Sequence, residues 1–303
     1  MAIAVPTTTG ESMAKGAATM PRVFLGVALA QLRADAGISL EAAAKHVGKS
    51  RQRLMNLLEG RATFTAEELR HLAQHLGATG DRLSELEALG AEARKSPTGD
   101  PYTDLGPESW RRVAYLEAKA ESIQDYEYGI FPALIQSASY AEALIRATEG
   151  VWQDSLGDQV RATRAAFRLK RQQLVFDSAE PKRISLFFTE DTFNAGVGSP
   201  HVMSEQCQHI LDLVEAHDNL DVRIIPASTW DNPAQNGGFV LFGFGELLRP
   251  IGFLPVIYGP STYMDGPEDT KRMARAFARL GELALSRDDS LKLVSTNRER
   301  FAR

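Results

Sequence analysis

Residues 37–61 read GISLEAAAKHVGKSRQRLMNLLEGR, and the spacing inside this stretch sets the fold of the first third of the chain. Ser39 stands where a helix N-cap belongs, because its hydroxyl can accept from the free amides of the turn it opens. Ala43, Ala44 and Val47 then give a narrow apolar face, and Gly48 supplies a sharp turn. Ser50 caps a second helix, whose inner side is Leu54, Leu57 and Leu58. Alanines on the first helix let the two approach closely. The second helix is therefore expected to stand proud, with Arg51, Gln52, Arg53 and Asn56 directed away from the core.

These side chains are of the kind that reads double-stranded DNA. Arginine grips guanine through two hydrogen bonds, and Gln and Asn do the same with adenine. Lys45, Lys49, Arg51 and Arg53 place four cations in nine residues with no acid among them, which suits phosphate attraction. The alternative is a solvated basic face with no ligand. The expected DNA-binding set is Lys45, Lys49, Ser50, Arg51, Gln52, Arg53, Asn56 and Arg61, with Gln52, Asn56 and one of the two arginines Arg51 and Arg53 touching bases and Lys45 and Lys49 meeting phosphate.

Through S39, AAAKHVG, KSRQR and LLEGR the stretch resembles the helix-turn-helix of phage-repressor-like regulators of the Xre/Cro type, over about residues 22–90. The resemblance implies base contacts from the three positions opening the recognition helix and one a turn later, here Arg51, Gln52, Arg53 and Asn56. Leu40 replaces the glutamine that often clamps a phosphate, and Leu58 replaces a glutamate that usually pairs with the arginine at Arg33. Arg33 is left to Glu59 or to water.

Around this motif the periodicity predicts further helices. Leu25, Leu29 and Leu32 recur at helical spacing before it, and the capping box Thr65-x-x-Glu68 opens a helix through Leu69, Leu72 and Leu76. Asp81 to Leu89 makes a fifth helix. His71 and His75, one turn apart on the fourth helix, lack the further ligands of a zinc site and are expected to be solvated. Residues 1–20 read as a disordered leader, 21–93 as the helix-turn-helix domain and 94–101 (RKSPTGDP) as a linker. Residues 102–303 make a C-terminal regulatory and partner-binding domain, helical over 102–178 and α/β over 179–303.

The net charge of the 303 residues is -5, yet residues 21–95 hold 11 Lys and Arg against 9 Asp and Glu. The positive balance is local, and the acidic remainder is not expected to lie on DNA. No apolar run approaches the ~18 residues of a membrane span, so no membrane partner is expected. Cys207 is the single cysteine, which fits a reducing cytoplasm, with nucleoid association while bound to DNA. Its spacing with Met203, Ile210, Leu211 and Val214 places it on the core face of a helix.

In the second domain, residues 108–124 read as a helix around Trp110, Val113, Leu116, Ala120 and Ile123, and Ser139-x-x-Glu142 reads as a capping box. Asp158 to Val175 is a helix dense in arginine, read as a solvated face in preference to a second nucleic-acid surface. Then the period changes. ISLFF (184–188), VRIIP (222–226), 239–244 and 253–258 read as strands, with 267–285 as the last long helix. The strand–helix–strand order around Cys207 predicts a parallel crossover. The expected fold class is a mainly α, five-helix domain followed by an α+β domain with a small mixed sheet.

The stretch YLEAKAESIQDYEYGIFPALIQSASYAEAL (115–144), followed by VGSPHVMSEQ, VRIIP, GGFVLF, VIYG and ALS…DS, resembles the companion domain of actinobacterial regulators described as antitoxin-like. Ala133 and Ser137 replace the Gly and Thr of that pattern. The resemblance implies a small companion protein as a partner. No phosphate loop, dinucleotide loop or nucleophile elbow occurs, so no enzyme and no cofactor are expected. The expectation is a DNA-binding transcriptional regulator working as a homodimer and taking a signal from a companion protein or small-molecule effector. The alternative is an antitoxin-type module that chiefly sequesters a small partner. Tyr126, Tyr128, Phe131 and Gln136, around the turn at Gly129 and Pro132, are the candidate partner or ligand residues, and core packing is the equal alternative.

Overall fold

Five helices make the first unit: α1 (Met20–Asp35), α2 (Leu40–His46), α3 (Arg51–Leu58), α4 (Ala66–His75) and α5 (Gly80–Arg94). The computed structural model describes residues 19–95, 102–103, 109–152, 157–245, 249–256 and 261–303, and the chain divides after residue 96 into two compact units. The leader over 1–18 and the linker over 96–101 lie outside the described residues.

The helix starts follow from local chemistry. Ser39 accepts from the Ala42 amide at 3.1 Å, and Ser50 from the Arg53 amide at 3.1 Å. Thr65 and Glu68 close their box reciprocally, at 2.9 and 3.2 Å. Gly48 takes the left-handed turn at φ 63° between α2 and α3. Phe24, Leu29, Ala43, Leu54, Leu57 and Leu72 form the buried centre, while Leu32 and Leu58 are half-buried. Gly26 explains how α3 is held. A Cβ there would lie 2.2 Å from the Leu58 carbonyl oxygen, so α1 touches the end of α3 backbone to backbone.

The second unit runs β1 (Tyr102–Thr103), α6 (Ser109–Lys119), β2 (Ser122–Glu127), α7 (Ala138–Thr148), α8 (Asp158–Phe176), β3 (Arg183–Thr189), α9 (Pro200–Ala216) and β4 (Leu220–Ile225). It continues through β5 (Phe239–Gly243), β6 (Ile251–Leu254), β7 (Thr262–Met264), α10 (Pro267–Leu283) and α11 (Arg287–Phe301). Among the described residues the strands form one seven-stranded mixed sheet in the order β1-β7-β6-β5-β2-β3-β4. Strands β2, β3 and β4 are parallel, in register Glu127↔Phe188 and Thr189↔Ile225, and the rest of the pairings are antiparallel. The parallel crossover around Cys207 is present as β3–α9–β4.

Pleating sorts the side chains onto two faces. Tyr126, Phe187, Ile225, Phe239 and Leu241 pack against Met273, Phe277 and Leu280 of α10. From the register, Ile184, Leu186, Phe188, Val222 and Ile224 fill the opposite face, and all five are buried. Cys207, at 0 % exposure, is a core thiol that burial pushes up to about 12.

Three expectations are corrected. Residues 102–178 are not wholly helical, since β2 lies near the middle of the sheet, between β3 and β5. Ile123 continued the helical spacing of Leu116 and Ala120, but α6 stops at Lys119 and Ile123 pairs with Ile184 and Phe242. Polar Asp125 and Glu127 masked the strand alternation. The cap of α7 is Ser137, which accepts from the Tyr140 amide at 3.2 Å, while Ser139 lies within the helix and Glu142 pairs with Arg146. Residues 267–285 do not hold the last long helix: α11 follows and packs on α9 and β4, with Val294 buried and Ser290 Oγ accepting from the Ile224 amide at 3.0 Å. The Trp110 side chain and residues 257–260, the VIYG stretch, lie outside the described residues.

Candidate nucleic-acid interface

Helix α3 buries Leu54 and Leu57 and turns Arg51, Gln52 and Arg53 outward, with Asn56 half-exposed one turn on. Gln52 Nε2 donates to Asn56 Oδ1 at 3.0 Å, so the two amides hold each other on one face. That leaves Gln52 Oε1 as acceptor and Asn56 Nδ2 as donor, the complement of an adenine edge. The Ser50 hydroxyl is engaged as the cap of α3.

The five cations assigned to DNA are not equivalent. Among the described residues, Lys45 and Arg51 have no hydrogen-bond or ion-pair partner. With Glu41, Ala44, Gly48 and Lys49 they line an open groove of about 500 Å³. Lys49 is paired with Glu68, Arg53 Nη2 donates to the Thr63 carbonyl at 3.1 Å, and Arg61 is paired with Glu59. The hydrogen bond from Lys49, and next the one from the Thr65 amide, holds the Glu68 carboxyl below its usual range. With Glu59 engaged, Arg33 does not pair with it: its Nη1 donates to the Ile38 carbonyl at 2.7 Å, and its buried Nε has no hydrogen-bond partner among the described residues. His75 is not a solvated flank but stacks on His46, with centroids 3.7 Å apart. Among the described residues no group of three His, Cys, Asp or Glu is placed to hold a metal.

The signal that sequence reading missed here is Glu68. The capping box was legible, but the Lys49 that reaches the same carboxylate comes from the turn between α2 and α3, and sequence spacing carries no sign of that approach.

In the second unit the four candidate residues do not share one surface. Tyr126 and Phe131 are fully buried and Gln136 is 2 % exposed, whereas Tyr128 is 45 % exposed. Phe131 sits edge-on to Tyr140, Phe188 and Phe193, with centroids 5.1 to 5.7 Å away. Gln136 donates to the Phe131 carbonyl at 2.7 Å and accepts from Arg168 at 2.7 Å. The arginines of α8 are not a solvated row. Arg171 forks onto Glu117 at 2.8 and 2.5 Å, and Arg161 reaches Glu149 at 2.6 Å. Amphipathic spacing could not show this, because the partners come from α6 and from the end of α7.

Asp125 and Glu127 share the face of β2 opposite Tyr126. Burial, then Glu127 and Glu117, push the Asp125 carboxyl up against the pull of Arg171, and among the described residues its Oδ1 has no hydrogen-bond partner. Burial pushes Glu127 up to about 7.

Among the described residues no single helix is long and apolar enough to cross a membrane; α1 and α2 pass that test only as a pair bent by 110°. No curated protein and no solved structure matches the chain. A helix-turn-helix domain model matches residues 25–86, which makes the first unit a DNA-binding domain of the kind regulators carry. A second model, described as a domain of unknown function (DUF5753), matches residues 110–296, more than half of the chain, and the chain therefore belongs to the DUF5753 family, with a helix-turn-helix domain at its N-terminus.

Proposed function

We propose that this chain is a sequence-specific transcriptional regulator of the Xre/Cro type that binds its operator as a dimer through α3, and whose second unit takes the signal that sets DNA binding. The observation that carries the reading is the outward face of α3: Gln52 and Asn56 locked together beside an unpartnered Arg51, with Lys45 at the rim. One small helix-turn-helix unit contacts too little DNA for tight specific binding, and two units read half-sites about 34 Å apart. The domains are proposed as 21–93 for DNA and 102–303 for regulation, with 94–101 as linker. Such a protein works in the cytoplasm, without enzymatic activity of its own.

The resemblance of residues 115–144 to antitoxin-like actinobacterial regulators supports a small companion protein as the source of the signal, and a small-molecule effector is the other candidate. An antitoxin-type role, in which sequestering that partner is the main act, is favoured by a different observation: Trp230 is 86 % exposed on the second unit.

Fluorescence anisotropy of the full chain on DNA from its own upstream region, against scrambled DNA across a salt series, tests the proposal. Preference for the upstream DNA by two orders of magnitude or more, with two protomers per site, is the expected result. Equal affinity for both DNAs at every salt concentration would remove the regulator reading.

A further inference from the structure

Because β2, β3 and β4 are parallel, the loops that leave them, residues 128–132, 190–196 and 226–238, emerge on one edge of the sheet. Hydrogen bonds stitch these loops to one another and to the strand ends. The Gly129 amide donates to Thr189 Oγ1 at 3.1 Å, the Ala227 amide to Glu190 Oε2 at 2.9 Å, and Asn232 Nδ2 to the Tyr126 hydroxyl at 2.9 Å. A second bond, from the Ala234 amide to Asn232 Oδ1 at 2.9 Å, fixes the far side of the third loop.

This edge displays aromatic surface where a solvated loop would be polar. Trp230 is 86 % exposed and Tyr128 45 %. Asp231, directly after Trp230, is the one non-glycine residue at positive φ (58°) among the described residues, a conformation that costs about 1 kcal/mol. Between that residue and the Asn232 anchor, the backbone beside the indole is held in place.

The charge on the edge has one sign. The three loops contain Glu190, Asp191 and Asp231 and no Lys, Arg or His. The Tyr126 phenol beneath them is raised first by burial and is then opposed by the Asn232 bond; Tyr128, Glu127 and Asp191 add to the rise, which places those groups around it. On the flank, Arg300 of α11 is occupied, donating to the Phe193 carbonyl at 3.0 Å and to Asn194 Oδ1 at 3.3 Å.

We infer that this edge is a docking surface for a basic segment of a partner protein, with an arginine or lysine seated on Trp230 and Tyr128 and its cationic neighbours facing Glu190, Asp191 and Asp231. A guanidinium stacks on an indole more strongly than on any other ring, and surrounding carboxylates reinforce it. Three adjacent strand ends span roughly 10 Å, a length matched by an extended peptide and not by one small cation. DNA is excluded by charge. The inference rests on the partner reading given above and names the surface and the chemistry that reading lacks.

The test is anisotropy of a fluorescein-labelled nona-arginine peptide with the full chain at physiological salt, with nona-glutamate as the control probe. Trp230→Ala is expected to weaken the arginine peptide five- to tenfold. Glu190→Gln combined with Asp231→Asn, which keeps the acceptor for Ala227 and a residue that tolerates positive φ, is expected to weaken it further and flatten its salt dependence. Glu282→Gln, on α10, is expected to change nothing. Wild-type affinity in Trp230→Ala, or equal binding of nona-glutamate, overturns the inference. So does a protein dimer that falls apart in Trp230→Ala, which would make the occupant a second copy of this chain. Upstream-DNA affinity of each variant is measured alongside: its loss in the wild-type protein defeats the regulator reading, while its retention with no peptide effect defeats only this surface.

Discussion

Lys49 lies against Glu68, and the same carboxylate accepts the Thr65 amide at 2.9 Å to close the N-terminal box of α4. One side chain thus ties the turn before α3 to the start of α4. The contact also changes what Lys49 can do, because a lysine already facing a carboxylate releases fewer phosphate counterions than a free one.

The basic residues are therefore expected to separate in salt titrations. Lys45→Ala and Arg51→Ala should each lower the slope of log K against log salt by about one, and Lys49→Ala by clearly less. Glu68→Gln retains an acceptor for Thr65 but removes the charge, and should strengthen binding to operator and scrambled DNA alike. Equal slopes for the Lys45 and Lys49 variants would show that the Glu68 pair opens on DNA at no cost.

The proposed base-reading pair is Gln52 and Asn56. Gln52→Ala should cost ~1–3 kcal/mol on the best operator and much less on scrambled DNA. Since Gln52 orients Asn56 through their 3.0 Å hydrogen bond, the double variant should lose less than the sum of the two singles. A double-mutant cycle by anisotropy measures this, and strict additivity would mean the amides act independently.

Tyr128 and Phe131, three residues apart, are expected to behave in opposite ways. Phe131→Ala opens a cavity among Tyr140, Phe188 and Phe193 and should destabilise the second unit by ~3–5 kcal/mol. Tyr128→Ala, at an exposed site, should stay within about 0.5 kcal/mol of wild type. Urea unfolding distinguishes them. Comparable losses for both would mean that Tyr128 packs as part of the core.

Glu127 gives the second unit a pH dependence. Its carboxyl is pushed up to about 7 by burial, against a usual value near 4.5. Between those values the unfolded chain has released a proton that the folded one still holds, so stability falls as pH rises through the window and levels off above it. Asp125 beside it is shifted the same way, and Glu117, Arg171 and Arg168 are the charged groups of the neighbouring helices. Glu127→Gln should remove part of the slope and stabilise the protein at pH 8 by roughly 1–3 kcal/mol. Unfolding free energies at pH 5 and pH 8 provide the check; an unchanged difference between the two pH values would place the titration elsewhere.

The first unit was largely legible because its determinants are local. Ser39, Ser50 and the Thr65–Glu68 box act over three residues, and the Leu54–Leu57 spacing fixes which side of α3 faces water. The same locality identified Arg51, Gln52 and Asn56 as the outward set. It failed for α7, where two serines compete and only the contact of Ser137 with the Tyr140 amide selects the cap.

The helix boundaries near caps, the face of α3 turned to water, the parallel crossover around Cys207 and the local basic charge could thus be read along the chain. Long-range packing fixed the rest: that residues 122–127 are a strand, that Arg168 and Arg171 of α8 point inward to Gln136 and Glu117, that Lys49 is held by Glu68, and that Tyr128 and Trp230 lie on loops leaving the same ends of the parallel strands. The reason is range. Caps and amphipathic faces are set by neighbours within a turn or two, whereas β2 is completed by partners about 60 and 115 residues away, and charged side chains take whichever opposite group the fold brings within reach.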